Sequence, residues 1–253
     1  MTHGSYASVN GIELYYEIHG AEHDGPPLIM LHGGVLTFHL SFDPLLPGLT
    51  ADRKVIGVEL QGHGHTAAAA DRPFSIRQCA EDVIALLDHL GLDQADLLGY
   101  SLGGLTATEV AVLAPDRVRR VVLAATHFRP DAYYPEITAP EQDSPRLPTE
   151  ADFAAMKTAY DEVAPNPDDF FPFLERIQPA VHDFEPWTAE QLGRLTMPVL
   201  IIIGDTDFIR LEHAVEMKQT LPNAQLAILP GTPHMRVVSD PELVLPMIKP
   251  FLA

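Results

Sequence analysis

The chain alternates short apolar segments with longer segments of helical periodicity. Residues 12–18 alternate apolar and polar side chains, which predicts a half-exposed strand. Other segments are apolar at nearly every position, as is typical of parallel strands covered by helices on both faces: 28–31, 55–60, 97–98, 118–125 and 199–203. Helical patterns lie between these strands, at 75–90, 102–114 and 211–221. The alternation predicts an α/β fold with a doubly wound, mostly parallel sheet.

One long segment, residues 128–195, interrupts this alternation. It has no buried-strand pattern, contains ten of the 23 prolines, and carries fourteen acidic residues against five basic ones. Helical patterns occur within it near 150–163, 168–177 and 188–195. We expect a helical cap, or lid, inserted at the carboxyl edge of the sheet, with residues 1–127 and 196–253 forming the core. A long ordered surface connection is the alternative, although such long loops without a role are uncommon.

The charge of the chain narrows the classes of partner. Asp and Glu number 35 against 16 Lys and Arg, a net charge of −19, which disfavours nucleic acids and anionic lipids as partners. Cys79 is the single cysteine, so an intrachain disulfide and a cysteine-based zinc site are excluded. Residues 1–17 lack the basic and apolar regions of a signal peptide, and the longest apolar runs are too short to span a bilayer. We therefore expect a cytoplasmic protein.

A candidate nucleophile stands in the sequence Gly99-Tyr100-Ser101-Leu102-Gly103, between a predicted strand and a predicted helix. This G-x-S-x-G arrangement puts the serine on a sharp turn, where the glycines let neighbouring backbone pass closely. The hydroxyl of Ser101 then lies at a helix N-terminus, whose free N–H groups favour an oxyanion. A capping serine in a small-residue turn is the alternative.

A serine hydroxyl needs a base to remove its proton, and the base needs an acid to orient it. Of the twelve histidines, His234 follows a predicted strand and a Pro-Gly turn, which places it at the same sheet edge as Ser101. Asp205 and Asp207 both come just after the buried strand at 199–203. We prefer Asp207 as the acid and keep Asp205 as the alternative.

The transition state also needs hydrogen-bond donors for a developing oxyanion. The backbone N–H of Leu102 is one candidate, because this residue opens the helix after Ser101. The sequence His32-Gly33-Gly34 follows the predicted strand at 28–31, and we choose the N–H of Gly34 as the second donor. An ordinary strand-to-helix turn is the alternative for this segment.

Taken together, these segments resemble an α/β-hydrolase-fold serine hydrolase of the lid-bearing esterase, lactonase and C–C hydrolase type. The matching segments are 32–34, 62–64, 99–103, 204–207 and 231–234, within a resemblance that extends from residue 9 to residue 252. The resemblance implies that Ser101, Asp207 and His234 are catalytic and that Gly34 and Leu102 form the oxyanion hole. A serine at position 101 argues against epoxide hydrolases and dehalogenases, which use Asp there.

The chain departs from the family pattern in a few places. Glu59 stands where the family often has Asp, at a position that is usually structural, and His65 stands where Arg is common. Pro246 and Pro250 interrupt what is normally a regular final helix, so we expect a kink or an early end there.

The interpretation is a hydrolase of a carboxylic ester that needs no cofactor and no metal. A lactonase or a C–C bond hydrolase would use the same three residues, and a small-molecule receptor with this fold is a non-enzymatic alternative. We expect a small ester or lactone as substrate, no nucleic-acid or membrane partner, and a monomer or homodimer. The residues expected to contact the substrate are Phe38, Tyr100, His127, Phe128, Trp187 and Met235. Aromatic residues of the insertion form a second set of candidates, namely Tyr133, Tyr134, Phe153, Tyr160, Phe170 and Phe171.

Overall fold

The computed structural model describes residues 4–69, 71–139, 144–182 and 184–253. Within these residues eight strands form one sheet: β1 Ser5–Val9, β2 Ile12–His19, β3 Leu28–Leu31, β4 Val55–Glu59, β5 Ala95–Tyr100, β6 Val118–Ala124, β7 Val199–Gly204 and β8 Ala224–Leu229. The order across the sheet is β1-β2-β4-β3-β5-β6-β7-β8. The pairs β1–β2 and β2–β4 are antiparallel and all other neighbours are parallel. The predicted α/β class and mostly parallel sheet are confirmed.

The segments that are apolar at nearly every position form the central strands of the sheet. Every residue of β3, β4, β5 and β7 is buried, because helices cover both faces and exclude water from both rows of side chains. The edge strand β8 is different: it is only partly buried, and Ile228 is 45% exposed. Hydrophobic burial therefore concentrates where the parallel strands meet.

Six α-helices of the described residues belong to the core: α1 Phe38–Phe42, α2 Leu46–Thr50, α3 Ile76–His89, α4 Leu102–Leu113, α9 Leu211–Thr220 and α10 Pro241–Leu252. Four further α-helices of these residues lie between β6 and β7: α5 Pro135–Thr138, α6 Glu150–Val163, α7 Phe170–His182 and α8 Ala189–Gly193. The predicted limits of α3 have a clear local cause. The hydroxyl of Ser75 accepts a hydrogen bond from the N–H of Gln78, which caps the helix start. Gly91 follows the helix end with a φ of +64°.

The segment between β6 and β7 is helical, as its sequence pattern predicted. α6 has the predicted limits, because Thr149 and Asp152 form a capping box at its start. α7 begins two residues later than predicted and continues through Pro179 to His182. The assignment of residues 128–195 to a cap stays a prediction, and residues 140–143 and 183 lie outside the described part.

The final helix corrects one expectation. Of the two outcomes predicted from Pro246 and Pro250, the early end is wrong, since α10 continues to Leu252, and the kink stays a prediction. Its buried face, formed by Val244, Ile248 and Leu252, packs into the core. This packing outweighs the hydrogen bonds that the two prolines cannot make.

The topology brings several loops to one place. β3, β5, β6, β7 and β8 are adjacent and parallel, so the loops that follow them leave the same carboxyl edge of the sheet. The segments that begin at His32, Ser101, Asp205 and Pro230 are among these loops. In the described part of the chain, no helix combines the length and the apolar character that crossing a bilayer requires.

Candidate active site

Ser101 occupies a strained turn between β5 and α4. Its φ of 51° and ψ of −115° lie outside the regions that residues other than glycine favour, and such strain is typical of functional sites. A Cβ atom on Gly99 would lie 2.2 Å from the carbonyl oxygen of Gly103, and one on Gly103 would lie 2.0 Å from the carbonyl oxygen of Leu31. The turn can form only because both positions lack a side chain.

Three side chains from three loops converge at this turn. Nε2 of His234 lies 3.0 Å from Oγ of Ser101, and Nδ1 of His234 lies 2.9 Å from Oδ1 of Asp207. Asp207 is fully buried and His234 is 4% exposed. With the proton on Nδ1 bound to the carboxylate, Nε2 is free to accept the proton of the serine hydroxyl. The predicted Ser101, Asp207 and His234 are thus brought together in one hydrogen-bonded row.

Asp205 has a different position from Asp207. Its carboxylate accepts the N–H of Thr232 at 3.3 Å, and its own N–H donates to the carbonyl of Leu229 at 3.0 Å. These bonds tie the loop after β7 to the loop that carries His234. Among the two acids left open by the sequence, Asp207 is the one that contacts the imidazole.

The two predicted oxyanion donors lie beside each other. A Cβ atom placed on Gly34 would be 3.8 Å from Cβ of Leu102, so the two backbones are close neighbours. Within the described residues, no backbone hydrogen bond uses the N–H of Gly34 or of Leu102. Both groups are therefore available as donors next to Ser101.

Two buried histidines shape the loop of Gly34. Nε2 of His32 accepts the N–H of Leu60, and Nε2 of His63 accepts the N–H of Val35, each at 3.0 Å. Complete burial lowers the pKa of both imidazoles, that of His63 well below its ordinary value. They remain neutral, so each can accept its backbone N–H and hold the loop in place.

A cavity of about 230 Å³ opens above Ser101. Two of the predicted substrate contacts, Tyr100 and Met235, line it, and so do Tyr133 and Phe153 from the second set of aromatic candidates. The described lining residues carry no Asp, Glu, Lys or Arg, and their polar members are Ser101, Tyr100, Tyr133, Gln178, His182 and His234. An uncharged ligand can enter such a cavity without leaving a charge unpaired.

Four of the residues predicted to contact the substrate do not line this cavity. Phe38 is buried under the sheet, where a Cβ atom on Gly57 would lie 2.4 Å from its ring. Phe128 packs on His213 with ring centroids 4.5 Å apart, and its N–H donates to that imidazole. Both lie in the core because apolar burial, rather than proximity in sequence to a loop, decides where an aromatic ring goes.

Polar contacts hold the other two residues, Trp187 and His127, outside the lining of the cavity. Nε1 of Trp187 donates to the carboxylate of Glu109 at 2.5 Å, which directs the indole away from the cavity. His127 lies behind Tyr133, with its Nε2 2.6 Å from the phenol oxygen. Burial lowers the pKa of His127 to about 3, so this imidazole is neutral. Tyr133, and not His127, forms the wall of the cavity.

Several lining residues were missed by the sequence reasoning. Leu174, Ile177, Gln178, Val181 and His182 all come from α7. Their spacing of three and four residues places them on one face of the helix, and this periodicity was a usable signal. Phe208, next to Asp207, also lines the cavity, and no pattern in the sequence distinguished it.

A metal centre has no support in the described residues, among which no group of three or more His, Cys, Asp or Glu side chains is arranged to hold an ion. The chemistry of the site is that of a hydroxyl, an imidazole, a carboxylate and two amide N–H groups.

A family model for the alpha/beta hydrolase fold matches residues 26–241. The chain belongs to the α/β-hydrolase fold family.

Similar proteins support this assignment over about nine tenths of the chain. A pimeloyl-acyl-carrier-protein methyl ester esterase of Neisseria meningitidis is 30% identical over 242 residues, covering 88% of this chain and 91% of the relative. A protein of Pseudomonas savastanoi assigned as the carbamate hydrolase RutD is 26% identical over 245 residues, covering 90% and 94%. As a member of the α/β-hydrolase fold family with such relatives, the protein is a hydrolase.

A solved structure has the same architecture. The enol-lactonase of Burkholderia xenovorans superposes with a TM-score of 0.78 at 23% identity, covering 98% of this chain and 99% of that one. At this level of identity the likeness shows the fold alone. The bond that this α/β-hydrolase cleaves has to be argued from its own site.

Proposed function

We propose that the protein hydrolyses carboxylic esters through a covalent acyl-enzyme formed on Ser101. The observation that carries this proposal is the hydrogen-bonded row from Asp207 through His234 to Ser101, at the mouth of an uncharged cavity. A neutral serine is a poor nucleophile, and this row supplies the base and the orienting acid that activate it.

The geometry supports two half-reactions. In the first, Nε2 of His234 takes the proton of Ser101 as Oγ attacks the ester carbonyl carbon, and the N–H groups of Gly34 and Leu102 bind the oxyanion. His234 then protonates the departing alcohol, which leaves the acyl group on Ser101. In the second, His234 takes a proton from water, the hydroxide attacks the acyl carbon, and Ser101 recovers its proton as the acid leaves.

The charge on His234 is transient, and its surroundings suit that role. Asp207 is fully buried and hydrogen-bonded to Nδ1, so it stabilises the imidazolium that forms in each half-reaction. The phenol of Tyr100 donates to the carbonyl of His234 at 3.0 Å, which fixes the backbone of the loop. Burial raises the pKa of Tyr100, so this phenol stays protonated and remains a donor.

The proposed substrate is an uncharged ester with an apolar acyl group. The cavity supports this, because a carboxylate or ammonium group on the substrate would be desolvated among apolar side chains. We also propose that residues 128–195 form a cap over the site. Supporting this, α6 contributes Met156 and α7 contributes Ile177 to the lining of the cavity.

Turnover of a matched panel tests the proposal. The panel contains a short p-nitrophenyl ester, a lactone of similar size and a β-diketone, each offered to the wild type and to Ser101→Ala. We expect the ester to be the best substrate by kcat/KM and Ser101→Ala to lose turnover while keeping its circular dichroism spectrum. A lactone or diketone turned over faster would reassign the bond cleaved, and wild-type turnover in Ser101→Ala would refute the nucleophile.

The same panel separates an enzyme from a receptor with this fold. A receptor is expected to acylate once and then to stop, so its product burst would equal the enzyme concentration without a following steady state. We expect a sustained steady state with the ester, because His234, which activates Ser101, is also placed to activate water for the second half-reaction.

A further inference from the structure

The ring of Phe208 lies flat against the imidazole of His234. The two ring centroids are 3.8 Å apart and the planes differ by 23°, the closest ring pair among the described residues. Phe208 comes directly after Asp207 in the chain, so the same loop supplies the carboxylate and the stacked ring. Phe208 takes no part in the proton transfers described above.

The imidazole needs more than its hydrogen bond to Asp207 to stay in register with Ser101. Oδ1 of Asp207 is shared, because it also accepts the N–H of Ile209 at 3.0 Å. Oδ2 of Asp207 is buried without a hydrogen-bond partner in the described part of the chain. One shared bond at Nδ1 holds one atom of the ring, and combined changes of χ1 and χ2 can still tilt the ring plane and carry Nε2 away from Ser101. A flat contact on the ring face opposes this tilt.

Phe208 is itself held in place. Its carbonyl accepts the N–H of Tyr134 at 3.1 Å, and a bridge joins Tyr133 to Ile209 on the next residue. The ring of Tyr133 packs on Phe208 with centroids 5.7 Å apart, and the phenol of Tyr133 is bonded to His127. These contacts hold the ring of Phe208 in place, so that it can restrain the imidazole of His234.

We propose that Phe208 is a positioning residue for His234. The stacked ring keeps the imidazole plane aimed at Ser101, and its π face favours the positive charge that the imidazole carries in the transition state. The catalytic consequence rests on the proposed function, whereas the restraint on the imidazole does not. Phe208 acts through the orientation of His234.

Replacing the ring with an aliphatic side chain of similar size tests this proposal. We expect Phe208→Leu to lower kcat about tenfold, which corresponds to about 1.4 kcal/mol of barrier. The proton between Nδ1 of His234 and Asp207 gives a low-field NMR resonance, and in Phe208→Leu we expect it to broaden through faster exchange with water. Phe208→Tyr keeps the aromatic face and is expected to retain kcat within about twofold and the sharp resonance.

Two further variants distinguish the effect of the Phe208–His234 ring contact from the effect of a changed cavity shape. Phe153→Leu makes the same change at another ring of the cavity, which has no ring contact with His234, and is expected to change KM while leaving the resonance sharp. Phe208→Met is a second variant without a ring and is expected to repeat the loss seen with Leu. An unchanged kcat and a sharp resonance in both ring-free variants would refute the proposal, as would a Tyr variant as impaired as the Leu variant.

This test also separates the inference from the proposed function. Ser101→Ala is expected to keep the low-field resonance although it loses turnover. Turnover that survives in Ser101→Ala would refute the serine mechanism, but the resonance of the Phe208 variants would still report on the orientation of His234.

Discussion

Two of the histidine–carboxylate pairs among the described residues join a histidine to a buried carboxylate at nearly the same distance. His234 lies 2.9 Å from Asp207, and His65 lies 2.8 Å from Glu59; both carboxylates are buried. Their surroundings differ. The second nitrogen of His234 faces a serine on a strained turn at an open cavity, whereas the ring of His65 stacks on Tyr15 with centroids 4.0 Å apart.

The two pairs differ in the partners that their carboxylates hold, and this difference separates a structural role from the proposed catalytic one. Glu59 also accepts the N–H groups of His65 and Phe38, at 2.6 and 3.2 Å, so its carboxylate joins the loops after β3 and β4. The negative charge of Glu59 is therefore compensated by hydrogen bonds from backbone N–H groups. One oxygen of Asp207 accepts hydrogen bonds from His234 and Ile209, and the second nitrogen of this imidazole faces Ser101, as the proposed reaction requires.

The largest expected effect comes from removing the imidazole of His234, and the matched removal of the imidazole of His65 is its control. We expect His234→Ala to lower kcat for an ester by about 10⁶, since loss of the base leaves only binding and the oxyanion donors. His65→Ala is expected to keep kcat close to the wild type, because His65 does not line the cavity. Steady-state kinetics of both variants measure the contrast, and similar losses in the two would contradict the distinction between the pairs.

The next contrast is between the two acids of one loop. Asp207→Asn is expected to lower kcat by about 10⁴, because the amide no longer stabilises the proper tautomer and charge of His234. Asp205→Asn keeps an oxygen that can accept the N–H of Thr232 and loses only the negative charge, so it is expected to keep kcat and to cost at most about 1 kcal/mol of stability. If Asp205→Asn were the more damaging variant for kcat, the assignment of the acid would have to be exchanged.

Glu59→Gln probes the structural pair. The amide places an NH₂ group where backbone N–H groups donate, so we expect a loss of about 1–3 kcal/mol in the free energy of unfolding. The measurement is urea denaturation followed by circular dichroism, with ester turnover as the second readout. A variant as stable as the wild type, or a loss of kcat as large as that of Asp207→Asn, would argue against a structural role for Glu59.

The smallest effect concerns a third histidine–carboxylate contact, between His39 and Glu17. The hydrogen bond to Glu17 is the main cause that raises the pKa of His39 to about 9. Burial acts to raise the pKa of Glu17, but its bonds to His39 and Tyr15 outweigh burial and hold it at about 2. The stability that this contact supplies is therefore full below the ordinary His pKa of 6.5 and lost as the pH rises through about 9.

His39→Gln measures this dependence. We expect the Tm of the variant to lie below that of the wild type between pH 4.5 and 6.5, where both partners are charged in the folded and unfolded chains. The difference should shrink as the pH rises through about 9. On the acid side it should shrink as the pH falls through about 2. A difference in Tm that stays constant across this range would contradict the charge-based account.

Much of the fold was accessible from the sequence because local patterns and burial agree. The apolar runs gave the central strands, Ser75 and Gly91 gave the limits of α3, and the spacing of Ser101, Asp207 and His234 after strands gave residues that the structure brings together. These signals depend on neighbours in the chain and on the geometry common to parallel sheets.

The cavity wall was less accessible because it depends on contacts between distant segments. The indole of Trp187 is directed away from the cavity by its bond to Glu109, 78 positions earlier. The ring of Phe38 packs instead against Gly57, which has no side chain in its way. Phe208 lines the cavity because the loop that wraps Asp207 turns its ring onto His234. No periodicity in the chain encodes such choices.

The most direct measurement of the central claim is covalent labelling with a p-nitrophenyl phosphonate ester, followed by intact-mass and peptide mass spectrometry. We expect one adduct per chain, located on Ser101, absent from Ser101→Ala and formed at least about 10³ times more slowly in His234→Ala. An adduct on another residue, or labelling of Ser101 at the wild-type rate in His234→Ala, would contradict the account.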